Sequence, residues 1–350
     1  MVYLKILKSL SVRKERIVVI SDFNVAEMYA IPFCEALALE KSDTTLLKIP
    51  PGESSKSREV KAALEDQLIN LGVGRSDLLV AFGGGVVSDL VGHLAATYLR
   101  GISYIIIPTT LMGMVDAAIG GKNGINHPRG KNLIGSLYPP EDVFIQPEFL
   151  KTLPNEVFRE GFIEVIKYGL IWDEELFSKI EEGKIIGNEY IFRSIQIKRA
   201  IVKADPNDLS LRRVLNYGHL VAHAIEKCTN FLVSHGRALW VGLLIETYLS
   251  YLSGFISLET LNRVACLLLR EDICFPPVLG LSSTILYEAM KNDKKASKSV
   301  PRVVLLKRIG KVQSFGGEFC TKLTYADFEI AFSWAANLIA NPSAVRSLTV

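Results

Sequence analysis

The pattern of apolar and polar positions changes character part-way along the chain. Up to about residue 150, short β-branched runs alternate with stretches of helical spacing. Ile17–Ser21 is one such run, ending at Asp22, and Thr45–Ile49 is another, ending at Pro50-Pro51-Gly52. Ser57–Leu71 has helical periodicity, with Val60, Ala63, Leu64, Leu68 and Leu71 on one side. Leu78–Phe82 predicts a buried strand running into Gly83-Gly84-Gly85. Asp89–Tyr98 then predicts a helix, and Tyr104–Ile107 a strand closed by Pro108-Thr109-Thr110. Strands alternating with helices imply parallel βαβ units, and such sheets bind ligands beyond the carboxyl ends of their strands.

From about residue 151 the spacing is helical. Asn155–Leu170, Glu174–Glu182, Glu189–Ala204, Leu211–Cys228, Arg237–Leu252 and Ala326–Ala340 all carry it, and only Arg302–Lys307 with Lys311–Ser314 predicts a hairpin. The expected class is α/β. A parallel-sheet nucleotide-binding domain over residues 1–150 precedes a mainly α-helical metal- and substrate-binding domain over residues 151–350. The boundary is expected near Phe149–Leu153, with a site in the cleft between the halves. The most apolar stretch, Leu239–Leu258, contains Glu246 and is interrupted by Gly254, which favours a buried helix over a membrane span.

Composition narrows the function. The chain has 350 residues and 49% hydrophobic content, enough for two cores. With 40 basic and 37 acidic residues the net charge is +3, and no basic run stands out. Nucleic acid is therefore a poor partner, and any local group of Lys and Arg is better read as a small-anion site. The five cysteines form neither a CxxC pair nor a disulfide framework, as expected in a reducing compartment. The N-terminus lacks an apolar signal region, so the expected location is the cytoplasm.

The chemistry concentrates in Leu215–Gly236, which holds three of the five histidines, His219, His223 and His235. His219 and His223 are four apart in a helical segment, so their rings share a face. His235 follows a break at Thr229-Asn230, as a loop ligand would. Three histidines this close point to a divalent-metal site, zinc first, with a carboxylate from elsewhere. Leu220 stands where a metalloprotease motif requires Glu, which excludes that chemistry. Glu164 and Lys167, three apart on an apolar helix, fit either an intrahelical ion pair or a metal carboxylate beside a substrate cation.

Other segments are open on spacing alone. Gly83-Gly84-Gly85-Val86-Val87-Ser88-Asp89 fits a tight turn as well as a pyrophosphate site, with Ser88 or Asp89 capping the next helix. In Pro51-Gly52-Glu53-Ser54-Ser55-Lys56, Glu53 could meet a ribose and Lys56 a phosphate, but composition favours a solvated loop. Asp116–Asn132 predicts a long polar loop, in which Lys122, Arg129 and Lys131 could converge on an anion and Asp116 and Asn132 on hydroxyls. Lys198, Lys294 and Lys295 suggest solvated faces.

In order, SDFNV, PPGESSK, GGGVVSDL, AATYLRGI, PTTL, GGKNGINHPRGKN, LKTLP, EVIKYGLI, LRRVLNYGH, NDKK and PRVVLLKRIG resemble the 3-dehydroquinate synthase family of sugar phosphate cyclases. The resemblance runs through most of the chain. It implies NAD contacts from Asp22, Asn24, Glu53, Lys56 and from Gly84, Gly85, Val86, Asp89. It adds Thr109, Thr110, Thr152 and Leu153 to these, with Lys122 and Lys131 serving cofactor and substrate alike. Zinc, or alternatively cobalt, would be held by Glu164, His219 and His235. Catalysis would fall to Asp116, Lys122, Lys167, Lys198, Arg212, Asn216 and His223. Arg100, Lys131, Asn132, Lys294 and Lys295 would bind a phosphorylated sugar acid, and a homodimer is implied.

The implied reaction is transient oxidation by NAD, phosphate elimination, re-reduction and aldol closure. The chain departs from the family pattern at Ser88, at Ala117-Ala118-Ile119, at Leu220-Val221-Ala222, in Asp205-Pro206-Asn207-Asp208 and at Glu156-Val157. It departs also at Arg237, where a carboxylate is expected beside His235 and where a cation would weaken support of that ligand. These departures keep three other readings open: a cyclase for another sugar phosphate, a metal-dependent polyol dehydrogenase, and a non-catalytic relative.

Overall fold

Ile17–Ile20, Leu78–Phe82 and Ile105–Ile107 are apolar and enclosed, and they form the middle of a parallel sheet. The computed structural model describes residues 4–13, 15–40, 43–128, 130–184, 186–270, 280–291 and 300–341. The chain divides into two compact units, Met1–Phe158 and Arg159–Val350.

In the first unit, helix α1 (Leu4–Ser11) leads into strand β1 (Ile17–Asp22), the short turn α2 (Phe23–Val25) and helix α3 (Ile31–Glu40). Then come β2 (Thr44–Ile49), α4 (Arg58–Asn70), β3 (Leu78–Gly83), α5 (Gly85–Thr97) and β4 (Ser103–Pro108). A hairpin of β5 (Lys122–His127) and β6 (Gly130–Leu137) precedes the short β7 (Asp142–Val143). The sheet order is β2-β1-β3-β4-β7, all pairs parallel. Every residue of β3 is buried, and each fully enclosed Leu, Val or Phe contributes about 1.5–3 kcal/mol. Strand order reverses between β1 and β3, the place where an open α/β sheet leaves a ligand crevice.

Helix α4 begins where Ser57 Oγ accepts from the Val60 amide, 3.2 Å away. Its buried face is narrower than the spacing predicts. Leu64 and Leu68 are enclosed, whereas Ala63 and Leu71 lie in solvent. Helix α5 begins at Gly85 rather than Asp89, and no side chain caps it. Ser88 Oγ donates back to Gly85 O, and Asp89 turns to Lys56, so neither takes the expected capping role.

The expected Asp116–Asn132 loop is in fact a π-helical turn (Gly113–Ala117) followed by the β5–β6 ribbon. Glycine hid these strands from the sequence pattern, because it depresses strand propensity while permitting close strand approach. A Cβ on Gly135 would lie 2.4 Å from Asn123 O across the ribbon.

The second unit contains the body of α6 (Asn155–Ile171), then α7 (Glu174–Glu181), α8 (Glu189–Ala204), α9 (His219–Cys228) and α10 (His235–Leu252). It continues with α11 (Leu258–Leu268), α12 (Ser283–Lys291), the two-residue strand β8 (Arg302–Val303), β9 (Leu306–Arg308), β10 (Lys311–Val312), β11 (Thr321–Lys322) and α13 (Tyr325–Ala340). The expected continuous helix Leu211–Cys228 is broken. A 3₁₀ turn covers Leu211–Asn216, Gly218 sits at φ 79°, and α9 starts at His219. The expected hairpin forms only in part. β9 pairs with β10, while Arg302–Val303 pairs with Thr321–Lys322.

Helix α10 is the centre of this unit and packs against α9, α11 and α13. Leu239, Trp240, Leu243, Leu244 and Ile245 are enclosed, and Trp240 Nε1 donates to Leu268 O at 2.7 Å. Glu246 lies fully buried in it. Among the described residues no helix is long and apolar enough to cross a membrane.

Candidate functional site

In the first unit, four groups of predicted residues follow the carboxyl ends of adjacent parallel strands. Asp22 ends β1, Glu53 and Lys56 follow β2, Gly84 to Asp89 follow β3, and Thr109 and Thr110 follow β4. The Thr109 amide donates to Gly83 O at 3.0 Å, tying the last two together. The α5 N-terminus, uncapped by any side chain, opens at the β1–β3 switch point and suits an anionic ligand. Asp22 is occupied locally, accepting from the Val25 amide at 3.0 Å.

Composition favours a solvated loop at Lys56, but the structure buries this residue to 3% exposure. Its Nζ lies 2.7 Å from Asp89 Oδ2 and 3.6 Å from Glu53 Oε1. Burial pushes the Asp89 carboxyl above its ordinary value, and the Lys56 cation opposes that rise. Glu53 Oε1 also accepts from Asn126 Nδ2 at 2.8 Å and lies 3.7 Å from Lys131 Nζ. The β5–β6 ribbon is thereby tied to the loop after β2.

Asn126 was not foreseen from sequence, since a single polar residue in a glycine-rich stretch carries no distinguishing pattern. Thr152 Oγ1 pairs with Tyr29 Oη at 2.7 Å. Asn24, Arg100, Lys122 and Asn132 are exposed, Arg100 and Asn132 with positive φ, while Val86, Asp116 and Leu153 are half-buried. Arg129, Lys294 and Lys295 lie outside the described residues.

In the second unit, Glu164, His219 and His235 each offer one ligand atom, and these atoms lie within 4.8 Å of one another. Glu164 is fully buried on α6, its Oε1 3.5 Å from His219 Nε2 and 3.4 Å from His235 Nε2. Its Oε2 is salt-bridged to Lys167, itself 1% exposed. Burial would raise the Glu164 carboxyl, but Lys167 and the two histidines hold it well below the usual range. It therefore presents an ionised oxygen to both rings. His223 stays outside the group, its ring centroid 5.7 Å from that of His219 and 6.3 Å from that of His235.

His235 is not the loop residue its spacing suggested. It is the first residue of α10, and the neighbouring Ser234 Oγ donates to Glu160 Oε1 at 2.5 Å. A Cβ on Gly236 would lie 2.5 Å from Glu160 Cα, so the start of α10 presses on the α6 backbone one turn before Glu164. This contact delivers His235 to the carboxylate. Gly236→Ala is expected to lose about 1–3 kcal/mol of stability and to weaken metal binding as well, measured by thermal unfolding and metal titration.

The donor set fits a divalent metal. Beyond the convergent Nε2 atoms, His219 Nδ1 sits 3.1 Å from Tyr217 O, and His235 Nδ1 sits 3.3 Å from Glu226 Oε1. With a metal bound, such contacts would hold the proton at Nδ1 and leave Nε2 as the lone-pair donor. The carboxylate that lies against His235 Nδ1 is Glu226, while position 237, where the family pattern has a carboxylate, is Arg. The signal for Glu226 was the one used for Glu164, an acidic residue in an apolar helical run (Ala224, Ile225). Lys198, expected on a solvated face, is 7% exposed, and Arg212 is 2% exposed. Arg212 donates its amide to Asp205 Oδ2 at 3.0 Å and its Nη1 to Pro206 O at 3.1 Å. Asn216 ends the 3₁₀ turn just ahead of His219.

Fold and site together define a class: an α/β unit suited to an anionic ligand at its strand ends, followed by a helical unit with a carboxylate–histidine metal group and buried cations. The sequence matches the 3-dehydroquinate synthase N-terminal family over residues 46–160 and its C-terminal family over residues 161–296. The chain belongs to the 3-dehydroquinate synthase family.

It is 38% identical over 330 residues to the 3-dehydroquinate synthase of Chlamydia caviae, covering 87% of this chain and 86% of that one. It is 37% identical over 311 residues to that of Synechocystis sp., with coverage of 85% and 86%. Among solved structures it is similar to a 2-epi-5-epi-valiolone synthase from Streptomyces hygroscopicus with NAD+ and Zn2+ bound. That likeness has TM-score 0.83, 28% identity, and coverage of 92% and 91%. A glycerol dehydrogenase from Schizosaccharomyces pombe, at 16% identity and TM-score 0.63, covering 97% of this chain and 87% of that one, shares the fold alone.

Proposed function

We propose that the chain is a 3-dehydroquinate synthase, a lyase of the shikimate route to aromatic amino acids. It converts 3-deoxy-D-arabino-heptulosonate 7-phosphate to 3-dehydroquinate and phosphate, with an oxidation and a re-reduction that cancel around the elimination. The observation that carries this reading is Glu164, which faces two histidines with one oxygen and the buried Lys167 with the other. One carboxylate thus joins a metal site to a substrate cation.

In this assignment the first unit holds NAD at its strand ends, and Glu164, His219 and His235 hold zinc, or cobalt in its place. When bound, NAD supplies reversible hydride transfer and the metal supplies polarisation of a hydroxyl oxygen. The chain's own cations handle the substrate's charge. Lys167, Lys198 and Arg212 are all nearly fully buried, and the substrate they would meet brings a carboxylate and a phosphate, the anions that Lys and Arg recognise. Lys122, Lys131, Asn132 and Arg100 supply more polar and cationic reach, and Lys294 or Lys295 another cation. Asn216 and His223, beside the metal group, hold and move protons at the substrate hydroxyls, with Asp116 orienting them. The chain works as a homodimer in the cytoplasm.

The test follows phosphate release from the heptulosonate phosphate alongside absorbance at the NADH wavelength. Release with no net NADH is the expected result. Steady NADH accumulation with a polyol would place the chain among dehydrogenases instead.

A further inference from the structure

Two fully buried carboxylates, Glu226 and Glu246, have no part in the reaction as derived above. Glu226 is 1% exposed on α9, and its Oε1 lies 3.3 Å from Nδ1 of His235, which belongs to α10. Glu246 is 0% exposed on α10, and its Oε2 accepts at 2.7 Å from the amide of Gly218, the N-cap residue just before α9 begins at His219. Each helix thus carries one metal-group histidine and one carboxylate that reaches across to the other helix's histidine end.

Glycine makes the exchange possible. A Cβ on Gly242 would lie 2.0 Å from Gly218 O, so α9 and α10 meet there backbone to backbone. Glu246 is one turn further along the same face of α10 and reaches the Gly218 amide from below. Gly218 itself adopts φ 79°, which turns the chain into α9. The carbonyl of Tyr217 meets His219 Nδ1, while its ring hydroxyl pairs with Thr247 Oγ1 at 2.6 Å, again on α10.

We propose that Glu226 and Glu246 are positioning residues that lock the two metal histidines reciprocally. Glu226 accepts the Nδ1 proton of His235 and raises its donor strength. Glu246 fixes the backbone turn from which His219 projects. A carboxylate behind a ligating histidine typically changes metal affinity 10–100-fold. The charge of Glu226 therefore matters beyond its shape, and this supplies the support that Arg237 does not. The proposal rests on the metal reading of Glu164, His219 and His235.

The experiment measures Co2+ and Zn2+ affinity of the full-length protein by chelator competition, with the visible Co2+ spectrum. Glu226→Gln, which keeps the side-chain shape, is expected to bind both metals about 10–100-fold more weakly, with a shifted Co2+ band. Glu226→Asp, which keeps the charge, is expected to bind them more tightly than Glu226→Gln. Affinity of Glu226→Gln within threefold of the parent with an unchanged spectrum, or the reverse order of the two variants, would overturn the proposal. A parent protein that binds neither metal would instead overturn the metal reading beneath it.

Discussion

Glu164→Gln is expected to lose about 10³-fold in phosphate release and to bind zinc too weakly to survive gel filtration. The residue serves three groups at once: His219, His235 and Lys167. Its ionised form is the one those neighbours select, since together they overcome the rise that burial imposes. Gln keeps the volume but removes the anion. Loss of metal polarisation is worth several kcal/mol, and about 4 kcal/mol corresponds to ~10³ in rate. Metal analysis of the desalted variant beside its rate checks both halves. A variant that kept both metal and rate would remove Glu164 from the site.

The largest stability effect is expected at Lys56→Met. The pair with Asp89 is enclosed on the Lys56 side, and removing one partner of such a pair leaves a poorly solvated charge, at a cost of about 3–5 kcal/mol. The loss depends on pH in a defined direction. Burial already raises the Asp89 carboxyl, and Lys56 is the main group that lowers it, so the substitution raises it further. A carboxyl raised in the folded state holds more protons there than in the unfolded chain. Stability of the variant therefore falls as pH climbs from the usual carboxylate range through the raised value, and recovers in acid. Thermal unfolding of parent and variant from pH 4 to 8 reads this out. A gap that does not narrow toward low pH would contradict the buried-pair account.

How much of this was visible in the sequence follows from how far apart the partners lie. The strand runs of the first unit were legible because buried parallel strands read as continuous apolar stretches, and Ile17–Ile20 and Leu78–Phe82 are such stretches. The β5–β6 ribbon was not, because glycine at 124 and 135 erases the alternation that marks a strand. The helix break at Gly218 was missed for a related reason. Its neighbours on both sides keep helical spacing, and only the close packing against Gly242 shows why the chain must turn there.

For the site, the histidine spacing pointed to a metal and left the third ligand open, since His223 has the same claim on the helix face as His219. The resemblance singled out Glu164, His219 and His235, and the structure brings these three together. Glu160 and Asn126 act through contacts across long stretches of chain, which no local pattern records. Lys56 and Lys198 show the same limit from the other side. A lysine in a polar segment suggests solvent until the tertiary fold encloses it.

The most direct test of the central claim is phosphate release from 3-deoxy-D-arabino-heptulosonate 7-phosphate by chelated protein as zinc is titrated back in the presence of NAD. No release is expected from the metal-free protein, followed by a linear return that ends at about one equivalent of metal per chain. Undiminished release from the metal-free protein would contradict it.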